Sequence, residues 1–401
     1  MKSNITTLHT AQTFGQSIWL DYIRRAMLTS GGLDRLIKKG VTGVTSNPTI
    51  FEKAIAASTD YDEAIIDLAQ AGKSPAEIYE ALAFEDIGRG ADLLRPIYDR
   101  TNGRDGYISL EVNPALANDT AGTLTEARRL FKTLSRPNVM IKVPATPAGI
   151  PAIESLISEG INVNVTLIFS LEQYGAVALA YLTGLEKFAQ KKGDLSKVSS
   201  VASFFVSRVD TALDPILARR GHSELQDKIA IANARAAYGL FTELFSGERW
   251  QKLQEQGAYP QRPLWASTGT KNPLYSNTLY VDSLIGENTV NTVPLDTLIA
   301  FLDHGQVDET LVSRLVQAEA DLKQLSAFGL DLKTVTEKLL DEAVMAFSRS
   351  FESLMASIDQ KRQVMLAKKS LLPLSLDNAQ ALRNTERAVI HFDLGVDALA
   401  G

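Results

Sequence analysis

Eight short apolar segments recur along the chain, with longer amphipathic stretches between them. They occupy 17–22, 41–46, 107–112, 139–144, 162–169, 200–206, 263–268 and 289–294. Most are rich in β-branched residues and lack clean polar/apolar alternation, the mark of parallel strands covered on both faces. Helical patterns fill the gaps at 31–39, 78–94, 125–134, 151–159, 171–192 and 226–245. Ser74-Pro75-Ala76-Glu77 is a capping box with proline at the first helical position, and it opens the second of these. Gly160 and Gly193 stand where a glycine stops a helix. The long second crossover, 47–106, has room for two or more helices.

Strand and helix alternating to a count of eight predict a (β/α)8 TIM barrel. A doubly wound sheet is the competing arrangement, but no glycine-rich turn follows the first strand. Beyond Pro294 the pattern becomes purely helical. Val335, Leu339, Ala343, Phe347, Phe351, Leu354 and Ile358 form one stripe of a long amphipathic helix, and 377–390 reads as a last one. Such a stripe suits a helix on the outside of the barrel or, failing that, an oligomer interface. Nothing between 294 and 331 resembles a flexible linker. The expectation is therefore one domain, 1–401, with strands within about 17–294 and additional C-terminal helices as an extension over about 295–401.

Composition narrows the function classes. A net charge of −6 gives no basic footprint for nucleic acid. The absence of cysteine excludes disulfides, thiolate metal sites and a cysteine nucleophile. Four scattered histidines offer no paired spacing for a metal. The first residues lack the apolar core of a signal peptide, and no 18 apolar residues run together, so no membrane segment is expected and the cytoplasm is the default location.

The candidate chemistry lies at the strand ends, because loops at the C-terminal rim of such a barrel build the active site. Asn138-Val139-Met140-Ile141-Lys142-Val143-Pro144 sets a lysine inside an apolar run. Burial lowers an amine's pKa, and a neutral amine is a nucleophile toward a ketone. The other strands bring Asp21, the Ser46-Asn47-Pro48 turn, Glu111 with Ser109, Asn164 with Thr166, Ser203 followed by Arg208, and Ser267 followed by Lys271.

Taken singly, each has an ordinary explanation: a helix cap, a satisfied buried hydroxyl, or a surface pair between Arg208 and Asp210. Polar residues ending nearly every strand on one rim are costly unless the rim is a site. A lysine with two carboxylates suits carbinolamine and Schiff-base formation. Arg208, Lys271 and the Ser267 turn suit a phosphate. Residues alone do not separate an aldolase from a dehydratase.

Five stretches carry a family resemblance. Trp19-Leu20-Asp21, Thr45-Ser46-Asn47-Pro48-Thr49-Ile50, Ser109-Leu110-Glu111-Val112, Met140-Ile141-Lys142-Val143-Pro144-Ala145-Thr146 and Val163-Asn164-Val165-Thr166-Leu167-Ile168-Phe169-Ser170 together resemble transaldolase, particularly its longer bacterial form. The resemblance runs in order from about Ile18 to Pro294. It implies a metal-independent class I barrel enzyme of the pentose phosphate pathway, with no cofactor. Such an enzyme moves a dihydroxyacetone unit from sedoheptulose 7-phosphate to glyceraldehyde 3-phosphate, giving erythrose 4-phosphate and fructose 6-phosphate.

By position, the resemblance implies Lys142 as the Schiff-base lysine and Asp21 as the acid/base of C3–C4 cleavage. It implies Glu111 and Thr166 as a pair shuttling protons through a water. Asn47 and Asn164 match amides that hold the dihydroxyacetone hydroxyls, and Ser203 matches a substrate-contacting hydroxyl. Arg208 and Ser267 match phosphate positions. Shorter relatives place an arginine soon after that serine; here Lys271 supplies the charge, without the bidentate fork of a guanidinium.

The partners implied are sugar-phosphate substrates, with no nucleic acid and no membrane, and a homo-oligomer left open. Two other readings stand beside this one. A related Schiff-base aldolase would release free dihydroxyacetone, and a silent barrel would only bind sugar phosphates or a protein. The presence of Lys142, Asp21 and Glu111 speaks against the silent barrel.

Overall fold

A computed structural model describes residues 5–382, with side chains through 367. Its centre is a closed barrel of eight parallel strands in sequential order. These are β1 (Gln16–Leu20), β2 (Gly43–Val44), β3 (Ile108–Glu111), β4 (Val139–Pro144), β5 (Val163–Ile168), β6 (Ser200–Phe205), β7 (Arg262–Ala266) and β8 (Thr289–Val293). Pairing of β1 with β8 closes the ring. The expected (β/α)8 barrel is the fold, and each expected segment holds a strand.

Strand residues are buried on both faces, which explains the missing alternation. The inward-facing side chains stack in layers. At the N-terminal end, Asp105 accepts hydrogen bonds from Ser17 Oγ and Trp19 Nε1, and Arg262 donates to Ser17 Oγ at 2.8 Å. Above this floor the Trp19 ring lies against β2. A Cβ on Gly43 would fall 2.5 Å from that ring, so the strand next to the tryptophan must carry glycine. The expected strand at 41–46 shortens to two residues, but its backbone stays paired: Thr42 N–H donates to Ile18 O and Thr45 N–H to Leu20 O.

The helices follow the expected order with shifted ends. The capping box of Ser74 and Glu77 opens Pro75–Arg100, and the long second crossover also holds Pro48–Ala56 and Asp62–Gln70. Gly160 takes the left-handed conformation of a helix stop, with φ +79°. Gly193 does not. Lys192 adopts φ +60° after Leu171–Gln190, and Gly193 N–H closes the turn on Phe188 O. Glycine is needed at 193 for space, since a Cβ there would lie 2.4 Å from the Phe188 ring. A short N-terminal helix, Thr7–Thr13, which the sequence pattern did not indicate, is opened by a capping box of Thr6 and His9.

The C-terminal amphipathic helix is Leu332–Leu382, and residues 377–382 of the expected last helix belong to it; 383–390 lie outside the described residues. Its position corrects the expectation of a helix on the barrel's outside. Near its start Lys333 pairs with Glu172 at 3.0 Å, at the helix that follows β5. Further along, Thr49 Oγ1 donates to Ser350 Oγ at 2.8 Å and Lys361 pairs with Asp62 at 2.8 Å, beyond β2. The helix thus crosses the C-terminal mouth of the barrel from the β5 side to the β2 side. Among the described residues, no helix is long and apolar enough to cross a membrane.

Candidate active site

Parallel register builds the site from three neighbouring strands. Glu111 on β3 aligns with Lys142 on β4, and Lys142 aligns with Asn164 on β5. Alternation turns all three side chains into the barrel in one layer. Lys142 Nζ is 3.8 Å from Glu111 Oε2 and donates to Ser46 O at 3.3 Å, and both side chains are buried. The lysine therefore sits in a polar pocket within an apolar wall.

Asp21 follows β1 and is anchored by its N–H, which donates to Val293 O at 2.8 Å. Its carboxylate accepts from Thr45 Oγ1 at 2.7 Å. Thr45 Oγ1 also lies 2.6 Å from Thr292 Oγ1. A hydroxyl has one hydrogen, and Thr45 gives its own to Asp21, so Thr292 is the donor in that second contact. Burial pushes the Asp21 carboxyl up from its ordinary range, opposed by the charge of Lys142, by the Thr45 hydrogen bond and by Lys271. Burial likewise raises the Glu111 carboxyl to about 7; Lys142 opposes this and the negative charge of Asp21 adds to it.

Around these groups lies a cleft of about 310 Å³. Seven of the ten expected site residues line it: Asp21, Asn47, Lys142, Ser203, Arg208, Ser267 and Lys271. Glu111, Asn164 and Thr166 do not; Glu111 and Asn164 stand level with Lys142 on the neighbouring strands, and Thr166 stands level with Pro144. Asn164 is bonded on both sides, donating to Ser109 Oγ at 3.0 Å and accepting from Ser203 Oγ at 2.7 Å. Glu111 Oε2 and Thr166 Oγ1 are buried without a hydrogen-bond partner. Two unsatisfied polar atoms flanking a lysine are costly in a finished core and suit a site that holds water or substrate oxygen. Asn47 caps Pro48–Ala56 through Oδ1, which accepts from Ile50 N–H at 3.0 Å, leaving its amide NH2 for the cleft.

On the far side of the same rim, Arg208 lies in the first turn of the helix Ser207–Arg220, over the Phe205 ring at 5.7 Å. Burial pushes its pKa down, and Glu342 of the crossing helix opposes that. Asp210 turns inward instead of forming a surface pair with Arg208, accepting from Ala230 N–H at 2.7 Å and Tyr280 Oη at 2.9 Å. With the Tyr275–Asp214 hydrogen bond of 2.7 Å, this ties the β7–β8 connection, and Lys271 with it, to the helix that carries Arg208. Ser267 adopts φ +56° and sits 3.0 Å from Ser207 Oγ. Leu167, just past Thr166, adopts φ +60° where β5 bulges against β6. Left-handed non-glycine residues cost energy, and such strain gathers at functional sites.

Sequence reasoning missed three cleft residues. Lys53 adds another cation from the helix after Asn47, and Thr292 completes the hydroxyl chain to Asp21. Phe347, on the crossing helix, has its ring centroid 6.0 Å from Lys142 Nζ. The apolar stripe gave its burial but no sign that it reaches the lysine. Among the described residues, no group of three His, Asp or Glu side chains is placed to hold a metal ion.

The Glu111 environment gives a testable slope. Its folded pKa stands above the ordinary 4.5, so the native state holds this proton more tightly than the unfolded chain. Stability from this group is therefore lost as pH rises through the window from 4.5 to about 7. Glu111→Gln removes that loss. The variant's Tm, measured relative to the parent, is expected to climb between about pH 5 and about pH 8; a flat difference would contradict the raised pKa.

The chain's relatives point the same way as this geometry. A family model described as Transaldolase/Fructose-6-phosphate aldolase matches residues 18–358. Transaldolase 1 of Streptomyces avermitilis is 48% identical over 364 residues, covering 89% of this chain and 96% of its own. The transaldolase of Thermobifida fusca is 49% identical over 352 residues, covering 86% and 96%. That of Trichodesmium erythraeum is 44% identical over 364 residues, covering 87% and 96%. With the family model spanning most of its length and relatives this similar, the chain belongs to the transaldolase/fructose-6-phosphate aldolase family.

Proposed function

We propose that the protein is a transaldolase that carries a dihydroxyacetone unit on Lys142 from sedoheptulose 7-phosphate to glyceraldehyde 3-phosphate. The observation that carries this reading is Lys142, 3.8 Å from Glu111 and lining one cleft with Asp21. The Lys142 nitrogen adds to the ketose C2 carbonyl. Glu111, with its carboxyl at about 7, is matched to accept and return protons near neutrality, and with Thr166 it holds the water that relays them during loss of the C2 oxygen. The iminium so formed draws electrons from the C3–C4 bond. Asp21 takes the C4 hydroxyl proton, the aldose leaves, and the electron pair remains as an enamine at C3. The acceptor aldehyde then bonds to C3, and its oxygen takes the proton back from Asp21. Asn47 orients the hydroxyls of the three-carbon unit.

Arg208, Lys271 and Ser267 receive the phosphate across the cleft. Removing the Arg208 charge weakens ground state and transition state together, because the phosphate does not react. Arg208→Ala is expected to raise KM for sedoheptulose 7-phosphate about tenfold or more with kcat little changed, since a charge-assisted hydrogen bond contributes ~1.5–3 kcal/mol. Steady-state kinetics check this; an unchanged KM removes Arg208 from the phosphate site.

The reading as a whole is tested by borohydride reduction in the presence of fructose 6-phosphate, followed by peptide mass mapping. A dihydroxyacetone-derived mass on Lys142 is expected. An adduct on another lysine, or none, overturns it. Assaying with the acceptor aldehyde omitted separates transfer from the aldolase reading, in which free dihydroxyacetone accumulates at the same rate.

A further inference from the structure

Phe347 comes to the cleft from outside the barrel, and its position is clamped. It lines the cavity, is 6% exposed, and its ring centroid is 6.0 Å from Lys142 Nζ. On the same helix, Ser350 Oγ accepts from Thr49 Oγ1 at 2.8 Å, two residues from Asn47. Phe351 meets Tyr79 edge-on at 5.4 Å, and Tyr79 meets Phe51 edge-on at 5.8 Å. The helix is thus pinned to Pro48–Ala56 by a hydroxyl pair and an aromatic stack, and Phe347 is held over the lysine from the mouth side. The unsatisfied atoms of Glu111 and Thr166 belong to β3 and β5, the strands on either side of the one that carries Lys142.

We propose that Phe347 determines the fate of the three-carbon unit on Lys142 by shielding it from solvent, so that transfer to an aldehyde outruns release. This rests on the Schiff-base reading above. After cleavage the enzyme holds an enamine, Lys142 N–C2=C3. In transfer, the C3 electron pair bonds to the aldehyde carbon and the aldehyde oxygen takes the Asp21 proton. In release, C3 instead takes a proton from solvent, Asp21 gives its own proton up to solvent, and the nitrogen becomes an iminium. Water then adds its oxygen to C2, the C2–N bond breaks, and both water protons end on the lysine nitrogen as ammonium, freeing dihydroxyacetone.

Hydrolysis is common to both routes, because the transferred product must also leave, and it uses the water that Glu111 and Thr166 hold on the strands beside the lysine. The routes part at C3, where an aldehyde carbon competes with a solvent proton. An apolar ring on the mouth side removes the bulk water that would supply that proton, whereas a bound aldehyde arrives with its phosphate held by the rim cations. The residue therefore sets reaction specificity without supplying a proton itself.

The test uses the full-length enzyme with fructose 6-phosphate as donor and measures the ratio of free dihydroxyacetone released to dihydroxyacetone transferred to erythrose 4-phosphate, read as sedoheptulose 7-phosphate. Phe347→Ala keeps the helix and opens the mouth side, and its release-to-transfer ratio is expected to rise about tenfold, the effect of ~1.4 kcal/mol on one barrier. In D2O the released dihydroxyacetone should carry one carbon-bound deuterium. Phe347→Leu, which restores apolar bulk, should return the ratio to within about twofold of the parent. An unchanged ratio in Phe347→Ala, with both rates falling together, would mean a merely structural role and overturns the proposal, as does a Leu variant that releases as freely as the Ala variant. Borohydride trapping is run on all three proteins. Trapping on Lys142 with an unchanged ratio defeats this inference alone, whereas a parent enzyme that does not trap defeats the Schiff-base reading and this inference with it.

Discussion

Lys142→Met is expected to fold and to transfer nothing, with kcat lower by about four orders of magnitude or more and no borohydride adduct on the chain. Methionine is unbranched and apolar and fills the slot between Glu111 and Asn164, so the register of β3, β4 and β5 has no reason to shift. Electrostatics decide whether the pocket tolerates the change. Lys142 is the main influence lowering the Glu111 carboxyl; without it, burial and Asp21 push that group still further above about 7. Glu111 then takes up a proton near neutrality, so no bare buried charge is left, and the usual penalty for breaking a buried ion pair, ~3–5 kcal/mol, is largely avoided. The variant should therefore melt within a few degrees of the parent while losing its chemistry. Turnover within about tenfold of the parent, in a folded variant, would exclude Lys142 as the nucleophile.

Asp21→Ala separates the steps that Lys142→Met removes together. Addition of the amine to C2 does not need Asp21, so borohydride should still fix ketose to Lys142. Cleavage does need it, and loss of a positioned general base costs typically 10²–10⁴-fold, so kcat is expected to fall by about that factor. Trapped adduct should accumulate ahead of aldose release in a single turnover, observed by quenching and mass analysis. The same substitution removes the negative charge that helps raise Glu111, so that carboxyl should titrate lower than about 7. Near-parental turnover in Asp21→Ala would transfer the role of base to another group.

Most of the barrel was legible in the sequence because buried parallel strands read as β-branched runs whatever surrounds them. All eight segments hold strands, yet neither the two-residue length of β2 nor the contact of the Trp19 ring with Gly43 on that neighbouring strand could be read. Thr7–Thr13 was invisible for another reason. It buries only Leu8 and Ala11, and its capping box uses histidine where the familiar pattern has glutamate. Lys192 shows the limit of a glycine rule: the stop formed one residue early on a lysine, and the glycine served close packing instead.

At the site, the residues on strands were legible and the contacts between distant segments were not. Lys142, Asp21 and Glu111 stand out because charge in an apolar run is costly. Thr292 and Phe347 do not, because a threonine in a strand and a phenylalanine in an amphipathic stripe are ordinary. Their meaning comes from Thr45 and Lys142, which lie far away in the chain. A stripe also has the same period whether it packs on a barrel wall or across its mouth.

The crossing helix bears on how the protein is made. Synthesis runs from the N-terminus, so β1 to β8 and every strand residue of the site leave the ribosome before Phe347 does. Asp21, Glu111 and Lys142 are therefore all present in a nascent chain whose mouth still lacks the wall that Phe347 supplies. The Thr49–Ser350 hydrogen bond and the Lys361–Asp62 ion pair form only after 332–361 has emerged, joining the crossing helix to segments made some 300 residues earlier. The cleft's mouth-side wall is in this sense a later product of translation than the strand residues it covers.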